Sequence, residues 1–217
     1  MINKDTQIYC SFAEKAGNVG CKLFNSAFNY YGIDAIYKSF SVNNIEEAIN
    51  AVKTLDIKGF AVTMPYKTEV LDYVSWKSET VKDIGAANTI INEDGYLKAY
   101  NTDYFAAKEV LDERLGIDLY ILGNGGYSRA VQQAAKDLGY KPNIISRNNW
   151  SEIKDIKDSI IYNCTPLENI KVHNSNNFID CIVSTETGKR LSLLLASYQF
   201  KLYTGQELPI RRLDEVS

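Results

Sequence analysis

The chain has 217 residues, of which 45% are hydrophobic and 24% charged, and its 24 basic and 27 acidic side chains give a net charge of −3. This apolar content and small net charge exclude an intrinsically disordered chain and allow one large or two small domains. Neither a membrane nor a nucleic acid is expected as a partner, because no apolar run approaches the ~18 residues of a membrane span and no basic excess is present.

Four cysteines lie far apart in the sequence and form no C-x-x-C pair, which argues against a zinc or redox site. They are Cys10, Cys21, Cys164 and Cys181. The amino terminus is polar and lacks the apolar core of a signal peptide. Together with the cysteine spacing, this predicts a cytoplasmic protein whose cysteines are buried thiols. His173 is the only histidine, which argues against a histidine-dependent triad, and no metal site is expected. The chemistry must then use Lys, Asp, Glu, Tyr, Ser or a cofactor.

Short β-type segments alternate with helical patterns in the first half, which predicts an α/β domain with some antiparallel edge strands. The predicted elements are strand 7–10, helix 22–31, strand 35–40, helix 45–55, strand 59–63 and a hairpin of strands 89–92 and 96–100. Pro65 ends the third strand, and the helix-prone residues after it place Lys67 in the first turn of a helix. The helix dipole there favours a neutral lysine, which suits proton transfer, although most lysines are simply surface residues.

The second half has the strand–helix–strand rhythm of a parallel sheet with crossover helices. Its predicted elements are helix 103–114, strand 118–122, helix 129–138, strands 143–146, 160–163 and 178–183, and helix 190–203. No linker rich in Pro, Gly or Ser divides the halves, so helix 103–114 is the expected connection.

The clearest cofactor signal is Leu122-Gly123-Asn124-Gly125-Gly126-Tyr127-Ser128, which follows a predicted strand and opens a predicted helix. Glycines allow a tight turn and close backbone approach, so the first N–H groups of the helix can hold a pyrophosphate. The pattern is incomplete, because Ser128 stands where the third glycine of G-x-G-x-x-G would be. A glycine-rich turn without a ligand is the alternative.

The end of the next strand bears on the choice of nucleotide. NAD sites usually have an acidic residue about 20 positions after the glycines, whereas an arginine there accommodates the 2′-phosphate of NADP. This chain has Ser146-Arg147-Asn148 and no carboxylate. Arg147 therefore indicates NADP, unless it is only a solvated surface residue.

Two further polar residues lie at the boundaries of predicted elements. Asp103 begins the connecting helix, where Thr102 is a good cap and the helix dipole favours a carboxylate. Asn88 precedes a strand and can be only a turn residue. Together with Lys67, these residues indicate a reaction site only if they converge on a cleft that faces a nicotinamide.

Segments in order along nearly the whole chain share the motifs of one enzyme family. They are Gly59-Phe60-Ala61-Val62-Thr63-Met64-Pro65-Tyr66-Lys67, Ile84-Gly85-Ala86-Ala87-Asn88-Thr89, Tyr100-Asn101-Thr102-Asp103, Gly123 to Ala130, Ser146-Arg147, Asn163-Cys164-Thr165-Pro166-Leu167 and Tyr203-Thr204-Gly205. They resemble the G-F-N-V-T-x-P-x-K, I-G-A-V-N-T, Y-N-T-D, G-A-G-G-A-x-R-A, N-R, N-A-T-P-L and W-T-G motifs of the shikimate dehydrogenase family. The amino-terminal sequence is similar to that of the shikimate dehydrogenase-like subgroup of this family.

This resemblance implies an α/β fold with two domains flanking a cleft. Residues 1–102 and 190–217 would form an N-terminal α/β substrate domain, and residues 103–189 an abbreviated Rossmann-type NADP-binding domain. The implied activity is the reversible, NADP-linked oxidation of shikimate, a small hydroxy acid, to 3-dehydroshikimate in the shikimate pathway of aromatic amino acid biosynthesis. A monomer or homodimer is expected.

The resemblance also implies roles for individual residues. Lys67 and Asp103 would be catalytic, with Lys67 accepting the hydroxyl proton as hydride leaves and Asp103 orienting the hydroxyl. Ser11, Thr63 and Asn88 would bind the substrate. The cofactor would be bound by Gly123, Asn124, Gly125, Gly126, Tyr127, Ser146, Arg147, Asn148 and Thr165.

Several departures from the family pattern affect substrate recognition. The S-x-S clamp is reduced to Ser11-Phe12-Ala13, an alignment preferred over Asn18-Val19-Gly20, and Ala61 replaces the asparagine of N-V-T. The family's substrate-binding glutamine falls on Leu195, with Gln199 out of register. The segments 147–163 and 180–190 are also short, and Val183 replaces the tyrosine of V-Y-N-P.

Each lost hydrogen bond weakens binding by roughly 0.5–1.5 kcal/mol, which predicts a weak shikimate dehydrogenase or one acting on an altered polyol acid. A catalytically impaired paralogue that binds dinucleotide or a shikimate- or quinate-like ligand is the alternative. An amino-acid or folate dehydrogenase with the same two-domain plan fits less well, because Asn88 and Asn101-Thr102-Asp103 follow the shikimate pattern.

Overall fold

The chain forms two compact units in the computed structural model, which describes residues 2–112 and 116–209. The first unit consists of Met1–Thr102 and Ala196–Ser217, and the second of Asp103–Leu195. The predicted end of helix 103–114 lies outside the described residues.

A six-stranded mixed sheet forms the first unit. Its elements are β1 (Gln7–Ala13), α1 (Val19–Tyr31), β2 (Ala35–Ser41), α2 (Ile45–Thr54), β3 (Gly59–Val62), a 3-10 helix (Glu69–Asp72), β4 (Trp76–Lys77), α3 (Glu79–Ile84), β5 (Thr89–Glu93) and β6 (Tyr96–Tyr100). The strand order is β2-β1-β3-β5-β6-β4. Strands β2, β1 and β3 are parallel, and β5 runs antiparallel to both β3 and β6. The predicted α/β fold is confirmed.

Alternate residues of β1 face two separate hydrophobic cores, one on each side of the sheet. Tyr9 packs with Phe24 of α1 and with Phe200 near the carboxyl terminus. Cys10 and Phe12 pack with residues of α2, such as Ile49. Because both faces are covered, the ends of the strands are the places where polar side chains can serve a ligand.

Local signals in the sequence fix several element boundaries. Asn44 starts α2, since its side chain accepts hydrogen bonds from the N–H groups of Glu46 and Glu47 at 2.9 and 3.2 Å. Asp94 and Gly95, with φ of 51° and 89°, form the two-residue turn between β5 and β6. The predicted hairpin is therefore present.

The residues after Pro65 do not form the predicted helix. They make a turn over residues 64–68, and the 3-10 helix begins only at Glu69, so Lys67 is not in the first turn of a helix. Tyr66 explains the difference: its ring is buried, and its hydroxyl donates to the Val42 carbonyl at 2.6 Å. This tertiary anchor outweighs helix propensity, and the helix-dipole argument for Lys67 no longer applies.

A four-stranded parallel sheet forms the second unit. Its elements are α4 (Thr102–Asp112), β7 (Leu119–Leu122), α5 (Gly126–Asp137), β8 (Asn143–Ile145), a 3-10 helix (Trp150–Asp155), β9 (Ile160–Asn163), β10 (Asn177–Asp180) and α6 (Glu186–Thr204), of which α4 begins and α6 ends in the first unit. The strand order is β10-β9-β7-β8, so β8 lies on one side of β7 and the later strands β9 and β10 lie on the other. This is the arrangement of the centre of a dinucleotide-binding sheet.

The expectation of crossover helices is wrong for two of the three connections. The helix α5 joins β7 to β8, but only the 3-10 helix lies between β8 and β9, and no helix lies within residues 164–176. Both connections, 146–159 and 164–176, are shorter than the connection 123–142, which holds α5. In addition, β10 ends at Asp180 and α6 already begins at Glu186, whereas positions 183 and 190 were expected.

The thiols are less buried than predicted. Cys10 is buried, but Cys21, Cys164 and Cys181 are only partly covered. Within residues 2–112 and 116–209, none of the helices combines the length and apolar character that crossing a membrane requires.

Candidate active site

Asn88 lies just before β5 with only 2% of its surface exposed. Its Oδ1 accepts hydrogen bonds from the Thr89 hydroxyl at 2.9 Å, the Thr102 N–H at 2.8 Å and the Thr102 hydroxyl at 3.1 Å. A backbone N–H can only donate, so these contacts fix which end of the amide is oxygen. The Nδ2 amide has no hydrogen-bond partner among the described residues, which leaves its N–H donors to a ligand.

The turn that carries Lys67 is attached to the segment that carries Asn88. The N–H of Ala87 donates to the Lys67 carbonyl at 2.8 Å, and the N–H of Val62 donates to the Asn88 carbonyl at 2.9 Å. Thr102, which holds the Asn88 side chain, directly precedes Asp103, whose surface is 3% exposed. The backbone segments of Lys67, Asn88 and Thr102 therefore meet at one place in the first unit.

Two more predicted substrate residues belong to the neighbouring strands β1 and β3, one inside β1 and one directly after β3. Thr63 follows β3, is exposed, and donates its N–H to the Phe12 carbonyl of β1 at 3.1 Å. Ser11 lies in β1 and donates its hydroxyl to Ser39 of β2 at 3.0 Å. Burial raises the pKa of the neighbouring Tyr37, whose hydrogen bond with Ser11 lowers it in part. Thr63 is thus open to a ligand, whereas the Ser11 hydroxyl is already engaged.

The predicted cofactor residues all follow the carboxyl ends of β7, β8 and β9 in the second unit. The N–H of Gly123 donates to the Ile145 carbonyl of β8 at 2.8 Å. Gly123 has φ of 101°, and a Cβ at this position would lie 2.9 Å from Cγ2 of Thr165. The three loops therefore lie side by side at the edge where open α/β sheets bind their ligands.

The glycine loop fits a pyrophosphate. Gly125 caps α5 without a side-chain hydrogen bond, and a Cβ at Gly125 would meet no atom within 4 Å. The backbone N–H groups of this helix terminus are therefore not covered by a capping side chain. Ser128, in place of the third glycine, donates its hydroxyl to the Gly123 carbonyl at 2.7 Å and holds the loop.

The loop after β8 is organised by a residue that the sequence did not indicate. Asn149 accepts hydrogen bonds through Oδ1 from the Ser146 N–H at 2.8 Å and from the Ser146 hydroxyl at 3.3 Å. Arg147 and Asn148, at the tip of this turn, are exposed. An asparagine three residues after a serine was the available signal, since such side chains form local turns.

A groove of about 450 Å³ is lined by residues that follow Asn148 and Thr165 in the chain, without including either of them. It lies between the 3-10 helix after β8 and the loop after β9, and its apolar lining includes Trp150, Ile153 and Leu167. A flat aromatic side chain and aliphatic walls are suited to bind a planar ring of a ligand.

Tyr127 links the glycine loop to Asp103 within the second unit. Its hydroxyl lies 2.9 Å from the hydroxyl of the fully buried Tyr162. Desolvation raises the pKa of both phenols well above the usual value, and the negative charge of Asp103 raises both further. The carboxylate of Asp103 is therefore within electrostatic range of a side chain of the glycine loop, and both phenols remain neutral at ordinary pH.

Gln199 is a second residue that the sequence left out of the site. It is 5% exposed, and its Nε2 donates to the Thr89 hydroxyl at 3.0 Å. Spacing from Thr204 and Gly205 aligns Leu195 with the glutamine of the shikimate motif, so Gln199 is out of register. Leu195 and Gln199 are four residues apart, which places them on the same face of α6.

Comparisons with known proteins identify relatives of this chain. The sequence model of the shikimate dehydrogenase substrate binding domain matches residues 19–90. The shikimate dehydrogenase-like protein of Haemophilus influenzae is 36% identical over 152 residues, which cover 68% of this chain and 56% of that protein. The shikimate dehydrogenase (NADP(+)) of Clostridium beijerinckii is 33% identical over 207 residues, which cover 79% of this chain and 76% of that enzyme. The chain belongs to the shikimate dehydrogenase family.

Solved structures of the shikimate dehydrogenase family share the fold. A shikimate 5-dehydrogenase-like protein superimposes with a TM-score of 0.84 at 27% identity, covering 99% of this chain and 97% of that chain. A shikimate dehydrogenase in complex with NADP+ gives a TM-score of 0.78 at 25% identity, covering 99% and 96%. The resemblance drawn from the motifs and the two-domain α/β fold are confirmed. In sequence, the match to the Haemophilus protein spans little more than half of that protein.

Proposed function

We propose that this member of the shikimate dehydrogenase family oxidises shikimate to 3-dehydroshikimate with NADP+ and catalyses the reverse reduction. The observation that carries the proposal is the position of Asp103. It is 3% exposed and follows Thr102, whose N–H donates to the predicted substrate residue Asn88. A carboxylate placed in this way can orient a hydroxyl for oxidation. Relatives named shikimate dehydrogenase (NADP(+)) support this activity.

In the proposed reaction, the substrate's C–H bond breaks as hydride and its O–H bond breaks as a proton. NADP+ supplies the hydride acceptor when it is bound. Lys67, in its amine form, takes the proton at Nζ, and Asp103 orients the reacting hydroxyl. The Nδ2 of Asn88 donates to a ring hydroxyl, and Thr63 is proposed as a further contact. Ser11 is proposed as a contact that can only accept from the substrate, because its hydroxyl proton is donated to Ser39. The match to the substrate binding domain over residues 19–90 supports the assignment of the first unit to the substrate.

NADP fits the second unit as its cofactor. The pyrophosphate would lie at Gly125 and Gly126, where the N-terminus of α5 has no capping side chain. Arg147 is exposed after β8, and residues 146–149 include no carboxylate, while the nearby Glu152 accepts a hydrogen bond from Asn149 Nδ2 at 3.3 Å. The groove beside Trp150 has room for the adenine ring. The remaining proposed cofactor contacts are Gly123, Asn124, Tyr127, Ser146, Asn148 and Thr165.

Substrate affinity is proposed to be weak. Ala61 and Leu195 replace hydrogen-bonding residues of the family motifs, and the Ser11 hydroxyl is engaged with Ser39. At roughly 0.5–1.5 kcal/mol for each lost hydrogen bond, three losses weaken binding by one to three powers of ten. An altered polyol acid that does not need these contacts would then be the better substrate.

A catalytically impaired paralogue is the second candidate, and the two short connections on either side of β9 favour it. The test is NADPH formation by the purified full chain with shikimate, quinate and their amino analogues, each with NADP+ and NAD+. Turnover that disappears in Lys67→Ala supports the proposal. NADP+ binding without turnover on any substrate supports the paralogue, and a preference for NAD+ contradicts the role of Arg147. The cytoplasmic location and the monomeric or homodimeric state stay predictions.

A further inference from the structure

Gln199 of α6 is connected to Asn88 through one intervening hydroxyl. The Nε2 of Gln199 donates to Thr89 Oγ1 at 3.0 Å, and Thr89 Oγ1 donates to Asn88 Oδ1 at 2.9 Å. The Thr102 hydroxyl lies 3.1 Å from both Thr89 Oγ1 and Asn88 Oδ1. All four residues are at most 5% exposed, so water does not compete freely for these groups.

Gln199 determines which role the Thr89 hydroxyl takes in this hydrogen-bond network. A threonine hydroxyl has a single proton, so Thr89 can donate to only one partner at a time. Because Gln199 presents N–H to the Thr89 oxygen, the Thr89 proton stays available to Asn88 Oδ1 at 2.9 Å or to the Thr102 hydroxyl at 3.1 Å, and the shorter contact is with Asn88. The Thr102 N–H already requires the Oδ1 of Asn88 as its acceptor, and the Thr89 hydroxyl adds a second donor that holds the amide in this orientation. The Nδ2 donors of Asn88 then remain without a partner among the described residues.

We propose that Gln199 is a positioning residue for Asn88 and acts through the Thr89 hydroxyl. The proposal rests on the function proposed above, because Asn88 matters only if its Nδ2 donates to a substrate hydroxyl. Gln199 lies far from Asn88 in sequence and outside the family motif, but the hydrogen bonds make it part of the same site. Its effect is on substrate binding and not on the nucleotide.

The first test compares four variants of the full chain with shikimate and NADP+. Gln199→Met keeps the size and removes the donor, Thr89→Val removes the intervening hydroxyl, and Thr89→Ser restores it. Lys201→Met is the control, since Lys201 lies on the same helix but is exposed and paired with Glu207. The KM for shikimate should rise about three- to tenfold in Gln199→Met and in Thr89→Val, as expected for one hydrogen bond.

The kinetic constants other than the KM for shikimate should change little. The kcat and the KM for NADP+ should stay within about twofold of the wild type, and Thr89→Ser should bind shikimate as the wild type does. The double variant Gln199→Met/Thr89→Val should resemble either single variant, because the two residues act in series. Additive effects in the double variant, or a parallel rise in the KM for NADP+, would overturn the proposal.

A second measurement separates this inference from the proposed function. Failure of the wild type to oxidise shikimate counts against the function, and the positioning role is then judged by NMR of the nitrogen-15-labelled side-chain amide of Asn88. Gln199→Met and Thr89→Val should shift this signal and speed exchange of its N–H protons, while Thr89→Ser and Lys201→Met should leave it unchanged. An unchanged Asn88 signal in Gln199→Met would refute the positioning role whatever the activity.

Discussion

The backbone N–H of Thr102 donates to the side-chain Oδ1 of Asn88 at 2.8 Å. Thr102 is the first residue of α4, where N–H groups have no partner inside the helix. Asn88, which lies just before β5 and fourteen positions earlier in the chain, accepts a hydrogen bond from one of these N–H groups. One amide therefore caps the helix that begins with Thr102 and Asp103, and presents its other end to the proposed substrate.

Substitution of Asn88 should separate these two roles. Asn88→Ala leaves the buried Thr102 N–H without an acceptor, so the free energy of unfolding should fall by about 1–3 kcal/mol and the KM for shikimate should rise. Asn88→Asp keeps an acceptor for Thr102 but loses the Nδ2 donors, so its KM should rise with a smaller loss of stability. Urea denaturation and steady-state kinetics measure both effects. Equal destabilisation by the two variants would show that the acceptor is not what Asn88 contributes.

Removal of the proposed catalytic groups should lower kcat more than it changes binding of the nucleotide. Lys67→Ala and Asp103→Asn should each reduce kcat about 10²- to 10⁴-fold, the usual contribution of a positioned proton-transfer group. Lys53→Ala is the matched control, because Lys53 is exposed in the last turn of α2. A loss of less than tenfold in both Lys67→Ala and Asp103→Asn would contradict their roles.

Two glycines of the proposed cofactor loop should respond to substitution by alanine for different reasons. An alanine at position 123 would strain the folded backbone, because φ is 101° and the new Cβ would meet Thr165. The free energy of unfolding of Gly123→Ala should therefore fall by about 1–3 kcal/mol. Gly125→Ala should leave stability nearly unchanged, because its φ is −88° and the space around a Cβ is open. If a pyrophosphate occupies that space, Gly125→Ala should still weaken NADP+ binding at least tenfold in calorimetry. Unchanged affinity would place the pyrophosphate elsewhere.

The sequence was sufficient for features that depend on neighbours in the chain. The cap at Asn44, the turn at Asp94 and Gly95, and the glycine loop before α5 were all predictable, because their signals lie within a few residues. The order of motifs was also sufficient to recognise the family. Parallel strands bring their carboxyl ends to one edge, so the grouping of Gly123 and Thr165 followed from the strand pattern.

Features that depend on distant contacts were not predictable from the sequence. The turn at Lys67 forms because Tyr66 is anchored to Val42, which no local propensity indicates. Gln199 joins the site only because α6 packs on the sheet that carries Thr89. The two-residue strand β4 likewise exists through its pairing with β6 and has no pattern of its own.

Replacement of Tyr203 by phenylalanine should stabilise the folded protein. Its hydroxyl is the buried side-chain polar atom that lacks a hydrogen-bond partner among the described residues, and burial of such a group costs about 1–3 kcal/mol. Tyr203→Phe should therefore raise the free energy of unfolding by about 1 kcal/mol or more in urea. Tyr9→Phe is the control, because the Tyr9 hydroxyl donates to the Tyr203 carbonyl at 3.2 Å and its removal should bring no gain. Lower stability of Tyr203→Phe would mean that the hydroxyl has a stabilising partner.

Alkaline pH should destabilise the protein through its buried phenols. Burial raises the pKa of Tyr127, Tyr162 and Tyr203 well above the usual value of about 10. Above pH ~10, the unfolded chain releases these protons and the folded chain retains them, so the unfolded state binds fewer protons and stability falls as pH rises. Each phenol contributes up to about 1.4 kcal/mol per pH unit until its folded-state pKa is reached. Urea denaturation between pH 8 and 11 should show this decline, and Tyr203→Phe should make it shallower. An identical slope in the wild type and in Tyr203→Phe would show that the Tyr203 phenol ionises equally in the folded and unfolded states.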